Sequence, residues 1–254
     1  MHMKAKHIGL LVLLLMSAFL NAQDHRADLY QAEQSYTAAK YDTAAVIYQS
    51  IIDSGYQSPE LYYNLANCYY KLQEIPSAIL NYEKALKLSP NDENIEYNLN
   101  LCNTLIPDRI EKVPSLFFIR WYQGLYNYLP IDTWAYIGLG LFSLFSLFML
   151  IYFLSGRMFL RKLGFWFGMV FLVMSFFTFF LTTQKYSSFQ KHDEAIIFTP
   201  SITVKSSPAK NSVDLSVMHE GTKVTILDRV GKWQKIKIQN GSIGWIESEN
   251  MQVI

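Results

Sequence analysis

The chain is poor in the residues that chemistry usually needs. Outside the N-terminal apolar segment only His25, His192 and His219 occur, and none stands at metal-ligand spacing from another His or Cys. No G-x-x-x-x-G-K-[ST] phosphate loop and no G-x-S-x-G nucleophile elbow is present. His219 beside Glu220 is the only tempting acid–base pair, and it suits a turn before a strand. The expectation is a protein that is not an enzyme, with no catalytic residues, no metal and no cofactor. An excess of positive charge is missing too. Lys and Arg total 22 against 21 Asp and Glu, so nucleic acid is not an expected partner.

Charge is scarce above all in the middle of the chain. Residues 24–112 carry 7 basic and 13 acidic side chains, a net of −6, and residues 185–254 carry 9 and 7, a net of +2. Between them, residues 113–184 hold only Arg120, Asp132, Arg157, Arg161 and Lys162. Thr133–Gly156 is uncharged over 24 residues and Leu163–Gln184 over 22. Each is long enough to cross about 30 Å of hydrocarbon, which takes about 20 residues. Neither has the polar face of a soluble helix. The expected spans are 133–156 and 163–184. The loop 157–162 between them, with three positive charges, belongs in the cytoplasm.

The first 22 residues read as a signal peptide. Lys4 and Lys6 precede an apolar run, Ile8–Leu20, of 13 residues, and Ala22 offers a small residue for cleavage. An uncleaved anchor is the alternative, and either way the next segment is exported. With the Arg/Lys loop inside, both folded ends then lie outside, on the periplasmic side of the inner membrane. Before the first span, residues 115–130 include Trp121, Tyr122, Tyr126 and Tyr128, rings suited to the headgroup region. An interfacial helix and a plain linker are both open there. Gly164 and Gly168 form a GxxxG, a pattern common by chance.

Residues 25–105 repeat with a period of 34. In the clearest unit, Pro59–Asp92, the buried-type positions are Tyr62, Leu65, Ala66, Tyr69, Ala78, Tyr82 and Ala85, with Pro90 as a stop. The spacing predicts two helices that cross closely over small residues. The preceding unit keeps Ala32, Tyr41, Ala44, Tyr48 and Ile51, and Asn94–Leu105 looks like the first helix of a third. The pattern resembles the tetratricopeptide repeat. The resemblance implies a helical solenoid that binds protein segments in the concave face of its first helices. Here that face would include Glu33, Tyr63, Asn64, Asn67, Tyr70 and Lys71. Asn64 and Asn67 would either bond a ligand backbone or tie neighbouring helices together. The basic residues of the family's carboxylate clamp are mostly missing, so capture of a free C-terminus is not implied. Cys68 and Cys102 occupy the same place in successive repeats. Equivalent positions lie about 10 Å apart by helix packing, too far for a disulfide, so both are expected to be small buried residues despite an oxidising compartment.

From Ala195 short strands take over. Thr222–Leu227, Trp233–Ile238 and Ile243–Ile246 are β-rich, Lys235–Ile238 alternates, and Asn240-Gly241 predicts a hairpin turn. About five strands over residues 195–254 suggest a small barrel. His219-Glu220-Gly221-Thr222-Lys223-Val224, Gly231-Lys232-Trp233 and Gly244-Trp245-Ile246 resemble bacterial SH3 domains, whose members often bind cell-wall peptides or proteins. Trp233 and Trp245 are either core and rim residues or a ligand platform.

The fold class expected is therefore multi-domain: an all-α tetratricopeptide solenoid, a two-helix transmembrane hairpin and a small all-β SH3-like barrel. This order resembles the BatE family of the Bacteroides aerotolerance (Bat) operon, chiefly through YYNLANCYYK (62–71), HEGTKV and GW. The resemblance implies partners among Bat membrane proteins with von Willebrand A domains, a MoxR-type ATPase, and a role in stress or oxygen tolerance. The function expected is that of a scaffold or adaptor, and the alternative is a peptidoglycan-binding or cell-wall sensing protein.

Overall fold

A computed structural model of the chain describes residues 25–108, 117–191 and 193–254. The expected signal peptide, 1–22, lies outside the described residues. The chain divides into two compact units at Tyr56/Gln57.

In the first unit, helices α1 (Arg26–Thr37) and α2 (Tyr41–Asp53) bury Ala32, Ala44, Ala45, Tyr48 and Ile51. The turn between them closes with Lys40 N–H on Ser35 O at 2.9 Å and passes through Ala39 at φ 57°. In the second unit, α3 (Pro59–Lys71) and α4 (Ile75–Leu88) repeat this geometry with an offset of 34 residues. Glu74 N–H reaches Tyr69 O at 2.9 Å and Gln73 takes φ 64°. A non-glycine residue in the left-handed region is costly. Its recurrence at one repeat position shows that residues 25–56 fold as the same helix–turn–helix despite their weaker sequence pattern.

The caps explain the helix starts. Ser58 accepts from Leu61 N–H at 3.1 Å, with Pro59 in the first turn where a missing N–H costs nothing. Asp92 accepts from Asn94 and Ile95 N–H at the start of α5 (Glu93–Leu105). Leu61, Leu65, Ala66, Ala78, Ile79, Tyr82, Ala85 and Leu99 form the buried layer between α3, α4 and α5. Cys68 and Cys102 lie in it as free thiols with no exposed surface.

A helix, α6 (Phe117–Asn127), follows in place of a plain linker. It exposes Phe117, Phe118 and Trp121, spaced to share one face. Next come two helices long and apolar enough to cross a membrane, α7 (Ile131–Leu154) and α8 (Met158–Gln190), the apolar span of the latter running from Met158 to Ser187. Few of their side chains are buried, unlike those of a soluble core helix. The expected loop 157–162 is shorter than the spacing of charges suggests. The link is residues 155–157, and Arg161 and Lys162 sit in the first turns of α8. Arg161 lies 5.3 Å from the Tyr152 ring centroid, so its charge is accommodated on the helix rather than in a loop. At its other end α8 runs six residues past Gln184, since nothing in Lys185–Gln190 breaks a helix.

Gly164 sets how closely the hairpin packs. A Cβ there would fall 2.8 Å from Phe148 O and 3.0 Å from Tyr152 N, whereas one at Gly168 would meet nothing nearer than Phe148 Cβ at 3.6 Å. Phe148 stacks on Phe167 and Phe171, at 5.6 and 5.4 Å between centroids.

The C-terminal module is an antiparallel sheet of seven strands, not five. They are β1 (Glu194–Ile197), β2 (Ser201–Lys205), β3 (Asp214–His219), β4 (Lys223–Val230), β5 (Trp233–Ile238), β6 (Ile243–Glu247) and β7 (Met251–Val253), ordered β3-β2-β6-β5-β4-β1-β7. β1 and β7 are too short to show a period; β1 pairs with β4 on one side and with β7, the edge strand, on the other. The alternation in Lys235–Ile238 holds: Ile236 and Ile238 join Ala195, Ile197, Val204, Met218, Val224, Ile246 and Met251 in the core. Trp233 is buried and Trp245 half-buried.

Candidate protein-interaction site

The partner-facing residues expected on α3 follow one another at helical spacing, but they are not equally free. Asn67 Oδ1 accepts the Tyr82 hydroxyl at 2.5 Å and Asn98 Nδ2 at 3.4 Å, and Asn98 Nδ2 also donates to the Tyr63 hydroxyl at 2.9 Å. The Tyr63 and Tyr82 rings lie 5.8 Å apart. Asn67 and Tyr63 therefore tie α3 to α4 and α5, the second of the two roles open for Asn67 in the sequence. Asn64 and Tyr70 are half-buried and Lys71 is exposed on the same helix. Glu33 is exposed on α1, in the other unit. The structure thus brings Tyr63 and Asn67 together in this network and leaves Asn64, Tyr70 and Lys71 on the same helix outside it.

A second cluster was not legible in the sequence. The β module lies against the repeat, and the turn between β3 and β4 makes the contact. Asp108, just past α5, accepts three hydrogen bonds: His219 N–H at 2.7 Å, His219 Nδ1 at 2.8 Å and the Thr222 hydroxyl at 2.8 Å. Burial pushes the Asp108 carboxyl up, but the donors from His219 and Thr222 outweigh it and hold it below its ordinary range. Beside this, Lys223 Nζ bridges Glu83 at 2.8 Å and Glu194 at 3.0 Å. Burial pulls this ammonium down, and the two carboxylates more than compensate, so it stays above its ordinary value. Gly221, at φ 84°, lets the turn approach: a Cβ there would lie 2.5 Å from Ile106 Cγ2 and 3.3 Å from Ile79 Cδ1. The HEGTKV stretch is conspicuous in the sequence, but its partners in the repeat half, Asp108 and Glu83, are 111 to 140 residues away, and no local pattern marks either.

Further bonds join this head to the segments that flank the hairpin: Lys87 Nζ donates to Lys191 O, just past α8, at 2.8 Å, and Asn91 Nδ2 to Asn127 O, at the end of α6, at 2.6 Å. Within the membrane part, Lys185 Nζ of α8 donates to Leu129 O, just before α7, at 2.7 Å. The repeat and the β module accordingly stand at one end of the hairpin, where α7 begins and α8 ends. The turn with Arg157, Arg161 and Lys162 is at the other. Among the described residues no group of three or more His, Cys, Asp or Glu is placed to hold a metal ion.

Comparison with known families agrees with this architecture. Residues 59–92 match the tetratricopeptide repeat model and residues 200–252 match the bacterial SH3 domain model. Among curated proteins none matches significantly.

Proposed function

We propose that this chain is a non-enzymatic, membrane-anchored adaptor that receives a protein partner on the repeat face. The observation that carries the reading is the arrangement just described: two modules of binding families, locked together by Asp108 and Lys223, at one end of an apolar hairpin. A repeat held rigidly beside a second module presents both at a fixed distance from the bilayer, as an assembly platform requires. Arg157, Arg161 and Lys162 at the opposite end support a cytoplasmic turn. The head is then periplasmic, in accord with an exporting N-terminal segment. The resemblance to the BatE family adds candidates for the partner: von Willebrand A domain membrane proteins of a Bat complex, acting with a MoxR-type ATPase in stress or oxygen tolerance.

A photo-crosslinker at Asn64 or Tyr70 in growing cells tests this reading. It should trap one envelope protein reproducibly, and a lack of any specific product from both positions would overturn it. The bacterial SH3 match favours a second reading, in which the β module binds peptidoglycan. Retention of the full detergent-solubilised chain on purified sacculi, abolished by surface substitutions in 200–252, would favour that reading over the first.

A further inference from the structure

The third, incomplete repeat unit departs from the one before it in a way that suggests what the partner looks like. In α3, Tyr62 and Ala66 face the following helix and are buried. The residues 34 positions later, on α5, are Glu96 and Asn100, and both are exposed. The face that a further second helix would cover is therefore polar, and α5 ends the stack without needing a cover. Its exposed apolar side chains are elsewhere. Tyr97, Leu101 and Leu105 are 69%, 37% and 51% exposed. They are the repeat equivalents of Tyr63, Asn67 and Lys71, the partner-facing positions. At i, i+4 and i+8 they form one ridge about 12 Å long.

We infer that this ridge is the apolar half of the partner site, and that its occupant is a basic amphipathic helix of another protein. This rests on the proposed role of the repeat face and specifies its ligand. The two α3 side chains next to the ridge, Tyr63 and Asn67, are already engaged by Asn98 of α5. They have little to offer the bare backbone of an extended peptide, whereas a helix bonds its own backbone and needs only ridge-on-groove packing. The charge of the occupant follows from its surroundings. Glu60 and Glu93, in the first turns of α3 and α5, are exposed at one end of the face. Residues 57–108, in the same unit as the ridge, carry 3 basic and 7 acidic side chains, a net of −4, and Lys87, one of those bases, is engaged by Lys191 O. A partner helix with Lys or Arg at the end that meets Glu60 and Glu93, and with apolar residues every three or four positions, complements this surface.

The test uses the full chain in zwitterionic lipid nanodiscs and labelled model peptides of about 18 residues, long enough to fold as a helix on binding. One peptide carries Leu at helical spacing with a Lys-rich end, and a second replaces each Lys by Glu. Fluorescence anisotropy should show the Lys peptide binding at least about tenfold more tightly, with affinity falling as salt rises. Leu101→Ser with Leu105→Ser should abolish most of that binding while the thermal melt is unchanged. Equal binding of the two peptides, or binding indifferent to the double substitution, overturns the inference. The crosslinker at Asn64 separates the two levels. An envelope protein trapped there, with its yield unaffected by the Leu101/Leu105 substitution, leaves the repeat face as a partner site and removes the α5 ridge from it. No trapped protein removes both.

Discussion

Replacing Asp108 by alanine should loosen the β module from the repeat without unfolding either. The carboxylate is 15% exposed and accepts three hydrogen bonds, from the backbone N–H and Nδ1 of His219 and from the Thr222 hydroxyl. Hydrogen bonds to a charged group contribute about 1.5–3 kcal/mol each. The His219 ring is 37% exposed, and water replaces much of what it loses. The His219 N–H and the Thr222 hydroxyl, on a residue 2% exposed, carry most of the effect. Together they argue for a cost to docking of about 3 kcal/mol, or about a hundredfold more frequent opening. Hydrogen exchange on the full chain in nanodiscs reads this directly: amides in 219–223 should lose about two orders of magnitude of protection while Ile236 and Ile246 keep theirs. Unchanged exchange at 219–223, or an equal loss at the core strands, would refute the reasoning. Acid should reproduce the variant. The folded Asp108 carboxyl lies below its ordinary 3.8, so its contribution is complete above that value and disappears as pH falls through the depressed one. Wild type should approach the variant only below about pH 4.

Other outcomes follow from single positions. Gly164→Ala should destabilise the hairpin by about 1–3 kcal/mol, because the new methyl meets backbone that cannot step aside, while Gly168→Ala should be nearly silent; melting in detergent compares the two. Cys68 and Cys102 should resist alkylation in the native protein and each take one label after denaturation, as intact mass will show, since burial pushes the thiols up to about 12 and about 11. Gln73→Gly should raise the stability of the repeat by up to about 1 kcal/mol by relieving the left-handed backbone at φ 64°, measured by chemical denaturation.

The sequence was informative wherever a rule is local or periodic. The 34-residue period placed Leu65, Ala66, Ala78, Tyr82 and Ala85 in the core because each lies on a helix face fixed by 3.6 residues per turn. The absence of charge marked both long helices, and Asn240-Gly241 marked the β5–β6 turn. The rest was hidden by distance or brevity. Three- and four-residue strands such as β7 and β1 are held by their neighbours, not by their own pattern. Arg161 and Lys162 resemble loop residues in the sequence because charge usually bounds an apolar span, whereas a long side chain can stay on a helix and reach outward. Asp108 carries no local sign of its role, since its donors come from a turn more than a hundred residues on.

The proposed partner face shows most clearly where periodic reading stops. The resemblance to the tetratricopeptide family implies Tyr63 and Asn67 as lining positions, yet their side chains hold α3, α4 and α5 in register. The more available surface lies one repeat further on, at Tyr97, Leu101 and Leu105. The same period locates it, once the exchange of Tyr62 and Ala66 for Glu96 and Asn100 is recognised as the end of the stack. A solenoid that terminates itself with polar side chains on its stacking face has no structural need for exposed leucines on its concave one. Exposure of apolar groups costs solubility, and in α5 it falls at the positions through which the repeat would meet another molecule.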